Sequence, residues 1–523
     1  MRRALAALIV AAALAGCRAA PPDPVEAPGP QPGVDVVAVQ AWLRLDPATL
    51  RLGARAALTV RHPDTLTVLR LGLDDAMEVR AVRVGGQPVT ATRDGDALLV
   101  PLQPGRTTSS VEVVYRGVPA AGVYAGTWAG RRVVYADGWP DRTAGWLPTV
   151  HHPSDPAAVD LTLVVPDSLG VVASGALVQD STGGGWRTAR FRLASATASG
   201  ADGAPPYTVA FAVGRFEFVD GGTTAGGVAV RHALLDGLFA GRLHRTGAAL
   251  DTLAALLGPY PYTTYATVQV PLQYAGMENA GAPFLRADLY AEDLPGRTLI
   301  EEVNWHEMAH QWWGDAVVPA DWRDLWLAEG PATYLTTELS ARLDGEDAGR
   351  RFHVLMAREI EREDAARALV PPTYADPSDV LTPTVYNKGG AVMHLLRLTV
   401  GEAAFWGALR RVQTEYAARP LSTDAFRRVL EAESGRSLDA VFQRWVYSAG
   451  LPTLRVRWDR PTRTLSWAIE GDGGTLDGVP FELYVRQGET AVFVPFLDGV
   501  ASLPADDRPT VEGVGILLDV RVR

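Results

Sequence analysis

The stretch "VNWHEMAHQWWGD", residues 303 to 315, sets two histidines four residues apart with a glutamate directly after the first. On a helix that spacing sends both imidazoles off one face toward a common point. His306 and His310 would then suit a zinc ion, which takes neutral imidazole and carboxylate ligands and keeps a position open for water in catalytic sites. Glu307 follows about 100° further round the helix. It lies beside the metal rather than on it, where a carboxylate can accept a proton from water. Two structural histidines on an amphipathic helix are the alternative reading.

A third ligand would decide between them. Glu329, in "AVVPADWRDLWLAEGPATY", is separated from His310 by 18 residues, which allows a turn, a loop and a returning helix. A solvated acid at a helix start is a common fate for glutamate. Trp322, Trp326 and Leu327 just before it favour burial, and a buried carboxylate needs a partner.

The texture of the chain places this stretch in a multidomain α+β protein, because 523 residues exceed what one core organises. From 34 to 225 the runs are short, rich in Val, Leu and Thr, and split by Gly, Pro and Asp ("ARAALTVRH", "SVEVVYRG", "AVDLTLVVP", "TARFRLAS"), the pattern of a β-sandwich or saddle. Near Arg231 the period becomes helical, and helical runs dominate 226 to 449: 298–313, 331–345, 347–367, 388–400, 402–418 and 423–447. From 450 to 523 β signals return in "TLRVRWD", "TLSWAIEG", "FELYVRQG" and "TAVFVPF", as a short C-terminal β-domain.

The N-terminus "MRRALAALIVAAALAGC" has two arginines, an apolar run too short to span a bilayer, and then Cys17, the one cysteine of the chain. It reads as a secretory signal over 1–17 and resembles the lipobox of bacterial lipoproteins, with Cys17 as the acylated residue. A Pro-rich tether over 18–33 would follow. The expected seat is the cell envelope, on the outer membrane, facing the periplasm or the surface. A formal charge of −11 argues against a nucleic-acid partner, which wants a basic footprint.

Two residue types are scarce. Lys388 is the only lysine, and Asn279, Asn304 and Asn387 are the only asparagines. They fall in "GMEN", "VNWHEMAH" and "YNKGG", segments where substitutes would not serve.

Taken together, H-E-x-x-H, the interval of 18 and W-L-x-E-G resemble the M1 family of zinc aminopeptidases, gluzincins of the aminopeptidase N and leukotriene A4 hydrolase type. "AGMEN" at 275–279 is similar to the family's exopeptidase motif, and "VYNKGG" at 385–390 to the segment with its catalytic tyrosine. The resemblance implies a thermolysin-like, mainly α catalytic domain with one zinc per chain. It implies His306, His310 and Glu329 as ligands and Glu307 as general base. Tyr386 would donate to the oxyanion, and Glu278 would hold the α-ammonium, within the Gly276, Met277 and Asn279 segment. Peptide or polypeptide N-termini would be the substrates. The alternatives are a thermolysin-like endopeptidase and a catalytically silent, peptide-binding surface lipoprotein.

Several departures qualify the resemblance. Pro331 suits only a first helical turn, so its helix is expected to start near Glu329 or Gly330. Trp139 stands where relatives supply a second amine-binding group, with Asp137 or Asp141 nearby. His151 and His152 read as surface or loop histidines. Thr333 is expected to touch a ligand histidine or its own backbone, and Lys388 to position the tyrosine segment. The chain ends early for the family, and a more open site would result.

Overall fold

The computed structural model describes residues 31–150, 152–193, 203–294, 297–349, 367–451 and 453–469, with residues 353, 356 and 360, and from 481 onward the strands named below. The signal segment, Cys17, His151, most of the tether and much of the 347–367 run lie outside the described residues. Among the described residues two compact units emerge, one running to Trp322 and including Gln413–Leu421, the other covering Arg323–Val412 and the residues from Ser422 onward.

In the first unit an eight-stranded sheet runs in the order Ala176–Gly183, Trp186–Leu193, Ala158–Pro166, Asp35–Asp46, Arg51–Arg61, Thr108–Gly117, Met77–Val84, Gln87–Val89. Its pairs are antiparallel except that Asp35–Asp46 runs parallel to Ala158–Pro166. Strict alternation builds it. Along Arg51–Arg61, Leu52, Ala54, Ala56, Leu58 and Val60 are buried while Arg51, Arg55 and Arg61 face water. A four-stranded sheet follows: Gly170–Ala173, Phe211–Gly214, Arg131–Ala136, Val123–Trp128.

A five-stranded sheet then leads toward the histidine helix, ordered Glu217–Thr223, Ala229–Leu234, Thr264–Val270, Phe284–Arg286, Gly276–Met277. The change near Arg231 is therefore later than the pattern suggested. Ala229–Leu234 is a strand, paired antiparallel with Glu217–Thr223 and parallel with Thr264–Val270. Pairing on both sides overrides a weak helical period. Helix α1 begins at Thr246 and ends at Leu257, and α2 spans Leu299–His310.

The second unit is built on α3 (Trp326–Asp344), α4 (Pro383–Val400), α5 (Glu402–Glu415) and α6 (Thr423–Ser434). Its C-terminal strands form a four-stranded sheet, Val500–Ser502, Thr464–Ile469, Thr453–Asp459, Asp519–Val522. A three-stranded sheet of Thr490–Phe496, Phe481–Gln487 and Thr510–Gly513 accompanies it. The order of strands, helices and strands agrees with the sequence reading. Among the described residues no helix is long and apolar enough to cross a membrane.

Helix α3 starts at Trp326, earlier than Pro331 suggested. Partners outside the helix set that start. Asp324 accepts from the Thr423 amide at 2.9 Å and from its hydroxyl at 2.7 Å, and Trp326 Nε1 donates to Thr423 Oγ1 at 2.8 Å. Backbone bonds from Ala328 and Glu329 to the Leu325 carbonyl close the first turn. Pro331 forfeits one later bond within an otherwise buried helix.

Candidate metal centre and active site

Helix α2 is buried on every side, so it reads as neither amphipathic nor apolar. Its N-terminus carries a capping box. The Glu301 amide donates to Thr298 Oγ1 at 3.3 Å, and the Thr298 amide donates back to the Glu301 carboxylate at 3.4 Å. That carboxylate also receives Arg245 Nε at 2.7 Å, which compensates a charge almost wholly out of water. Asn304 accepts from the Tyr265 hydroxyl at 2.7 Å and donates to Thr246 at 3.1 Å, which locks the middle of the helix. One of the three asparagines is thus accounted for.

Near its C-terminus, His306 Nε2 and His310 Nε2 stand 3.1 Å apart, their rings at 82°. Two ligands of a tetrahedral zinc are about 3.3 Å apart for bonds of 2.0–2.1 Å. His310 Nδ1 lies 3.0 Å from the Trp313 carbonyl, so its proton belongs there and Nε2 keeps a lone pair. Ligand atoms of His306, His310 and Glu329 all lie within 4.8 Å of one another, and all three residues are buried. Two imidazoles and a carboxylate are the donor set that zinc selects over magnesium or calcium. The residues present fit the ion.

Glu307 is 5 % exposed. Gly276 lies against it: a Cβ there would stand 2.2 Å from Oε1 and 2.6 Å from Cδ of Glu307. Only a glycine lets the "AGMEN" segment come this close to the carboxylate.

Gln311 was not singled out in the sequence, and it joins these parts. Its Nε2 donates to the carbonyls of Glu278 at 3.0 Å and Glu307 at 3.2 Å. Its Oε1 accepts from the Gly281 amide at 2.7 Å and the Tyr260 hydroxyl at 3.2 Å. One amide thereby fixes the register of the 276–281 segment against α2. Its place directly after the second histidine was the available signal. Met277 pairs with Phe284 at the sheet edge, and the carbonyl of buried Asn279 accepts from the Ala282 amide at 2.8 Å.

Carboxylates gather around this segment. Glu278 is buried, and Asp315, fully buried, has its carboxyl pushed well above the usual range by burial and then by Glu278. Tyr274 is likewise raised, by burial first and then by Asp137. Asp137 itself stands in a 3.0 Å ion pair with Arg142. Asp141 is exposed, and Trp139 packs edge-on against Trp322 and Tyr207. His152 is buried rather than superficial: its Nδ1 meets Ser154 Oγ at 2.6 Å and its Nε2 faces Asp321 at 4.0 Å. Burial holds it below its ordinary pKa.

In the second unit, Glu329 lies in the first turn of α3 and Tyr386 in the first turn of α4. Gly330 and Gly389 bring these helices together. A Cβ on Gly330 would stand 2.9 Å from the Gly389 carbonyl carbon, and one on Gly389 would stand 2.9 Å from the Gly330 Cα. The backbones therefore touch where the carboxylate and the phenol are carried. Thr333 packs its methyl toward Gly390. Its hydroxyl makes neither expected bond among the described residues. Lys388 is buried, and Nζ donates to the carbonyls of Arg367 at 3.2 Å and Ser448 at 3.3 Å. Burial, then Arg444, lowers its pKa to about 8.

The histidine pair and the distant glutamate form a group that could hold a metal ion, with the Glu307 carboxylate on the same helix as the histidines. Comparison with known proteins agrees: residues 243–445 match the peptidase family M1 domain. The chain is 31% identical over 232 residues to leucine aminopeptidase 2 of Eremothecium gossypii, covering 41% of this chain and 36% of that one. It is 31% identical over 283 residues to aminopeptidase N of Streptomyces lividans, covering 50% and 32%. It thus spans about a third of the length of these curated relatives. The crystal structure of an M1 zinc metallopeptidase from Deinococcus radiodurans superposes with TM-score 0.70 at 28% identity, over 81% of this chain and 95% of that one. A mutant of that enzyme bound to a Tyr-Ser-Ala substrate gives 0.69 at 29% identity, over 80% and 95%. What these comparisons share is the likeness of residues 243–445 to the M1 peptidase domain.

Proposed function

We propose that the protein is an aminopeptidase that removes N-terminal residues from peptides and polypeptides, with one zinc held by His306, His310 and Glu329. The observation that carries this reading is the Gln311 amide, which holds the backbone of Glu278 beside that of Glu307. That tie between the two segments supports Glu278, a buried residue, as the group that would grip a free α-ammonium by a charge-assisted bond.

Zinc bound there supplies a Lewis acid for the scissile carbonyl and a nucleophilic water at neutral pH. Glu307 accepts the proton of the attacking water and delivers it to the leaving amine nitrogen as the C–N bond breaks. Tyr386 donates its hydroxyl proton in a hydrogen bond to the carbonyl oxygen as negative charge grows there. Glu278, presented by the Gly276, Met277 and Asn279 backbone, sets the substrate's first residue in place. An endopeptidase has no use for Glu278, and a silent scaffold would not need base and ligands together.

We also propose a lipid anchor. Its support is the sequence 1–17, from which we infer an exported lipoprotein, acylated at Cys17 and held in the cell envelope. Incorporation of labelled palmitate into the full chain but not into a Cys17→Ala variant tests it.

The activity is tested by metal analysis of protein lacking residues 1–17, together with aminoacyl-fluorophores and their N-acetyl counterparts. One zinc per chain and cleavage confined to free amines are expected. Equal cleavage of acetylated substrates, or a metal-free active protein, would overturn the reading.

A further inference from the structure

A large cavity in the strand-rich unit takes no part in this chemistry. It has a volume of about 1020 Å³, at the upper end of small-molecule sites. Strand ends of three sheets form it. Arg131 and Arg132 come from Arg131–Ala136, Arg187 from Trp186–Leu193, and Arg231 from Ala229–Leu234, with Arg215 on the link into Glu217–Thr223. Five guanidiniums line it and no carboxylate does, in a chain whose formal charge is −11.

Only two of the five are neutralised directly. Arg131 pairs with Glu217, and Arg187 makes a fork onto Asp180 at 2.8 and 2.7 Å. Arg132 donates to the uncharged Pro47 carbonyl at 3.2 and 3.1 Å. Arg231 lies 4.0 Å over the Phe218 ring. Arg215 makes no side-chain hydrogen bond or ion pair among the described residues. Burial and the neighbouring Arg187 hold Arg231 below its ordinary pKa, against the pull of Asp180 and Asp220. Arg132, Arg215 and Arg231 are exposed at the cavity, and neighbouring cations such as Arg187 and Arg231 are stabilised by an anion.

The rest of the lining is apolar. Phe216 and Phe218 supply rings, with Leu169 and Val213 beside them. Gly170 makes room: a Cβ there would stand 2.8 Å from Phe218 Cε2.

We propose that this cavity binds an amphiphilic anion, with a phosphate or carboxylate head on Arg132, Arg215 and Arg231 and an alkyl body on Phe216 and Phe218. A bare phosphate would leave the rings and most of the volume unfilled, and an uncharged hydrocarbon would leave the guanidiniums crowded. A phospholipid or a fatty acid carries the required chemistry.

Calorimetric titration of the zinc-loaded protein below micelle concentrations tests this, with dodecyl phosphate, dodecanoate, inorganic phosphate and dodecyl maltoside. One equivalent of an anionic amphiphile should bind in the micromolar range, and inorganic phosphate and the maltoside at least tenfold more weakly. Tighter dodecyl phosphate assigns a phospholipid head, and tighter dodecanoate a fatty acid. The double variant Arg215→Ser/Arg231→Ser should lose at least tenfold, because it removes charge-assisted bonds. Its melting temperature and peptide hydrolysis should not change. Equal binding of the maltoside, undiminished binding by the double variant, or tighter binding of a glutamate-rich decapeptide overturns the proposal.

Discussion

A methyl group on Gly276 would reach 2.2 Å from Oε1 of Glu307, so any side chain there would displace the carboxylate proposed as the base. Gly276→Ala should therefore keep its zinc and lose at least tenfold in kcat, since misplacement of a reacting group by about 1 Å is worth roughly 10²-fold. Wild-type kcat in that variant would show that the segment shifts without moving Glu307. Glu307→Gln is the sharper change. An amide cannot accept the proton of water, so kcat/KM should fall about 10²–10⁴-fold while metal analysis still finds one zinc. Near-normal turnover would remove Glu307 from the mechanism. Lys388 makes a prediction about pH. Its pKa falls from 10.5 when unfolded to about 8 when folded, so between those values the unfolded chain binds more protons. Folding then grows more favourable as pH rises through that window, by a total on the order of 3 kcal/mol. Denaturation midpoints should show the wild type gaining on Lys388→Met between pH 8 and 10, with a flat difference expected only for an ordinary lysine.

At the scale of elements, the crossing of α3 and α4 governs how Glu329 and Tyr386 are presented. Its contact of Gly330 on Gly389 has no room for a side chain. Gly389→Ala should cost about 1–3 kcal/mol, the usual penalty for overpacking, and should lower kcat with little change in KM if Tyr386 moves with its helix. A stable, fully active variant would show that the helices part harmlessly. The sequence announced these glycines only as companions of the motifs "EGP" and "NKGG". Their function lies in a contact between residues far apart in the chain, which no local pattern encodes. The start of α3 failed for the same reason, since Asp324, Trp326 and Thr423 hold a turn that proline chemistry alone would have placed later. Ala229–Leu234 was legible as apolar but not as strand, because its neighbours on both sides decide it. By contrast, α2 and the C-terminal strands were read near their true bounds. Their signals are local: a fixed histidine spacing and runs of β-formers between turns.

Across the whole molecule, the motifs that matched a known family fall where chemistry is densest. What remained unread was the structure around them: Gln311 binding two segments, His152 inside rather than outside, Asp137 paired with Arg142. Whether the chain trims ends or cuts within peptides turns on Glu278. If its carboxylate grips the α-ammonium, removing the acceptor by Glu278→Ala and removing the charge by acetylating the substrate break the same bond. Each should lower kcat/KM about 10- to 150-fold, from a charge-assisted hydrogen bond of roughly 1.5–3 kcal/mol. Burial of Glu278 pushes the loss toward the upper figure, because one charge is left unpaired away from water. The two losses should not add, since a bond can be broken only once. The measurement is kcat/KM for both enzymes on free and acetylated forms of one peptide. Full additivity would mean that Glu278 supports the site without reading the amine. Rapid cleavage of the acetylated peptide by the wild type would make the protein an endopeptidase.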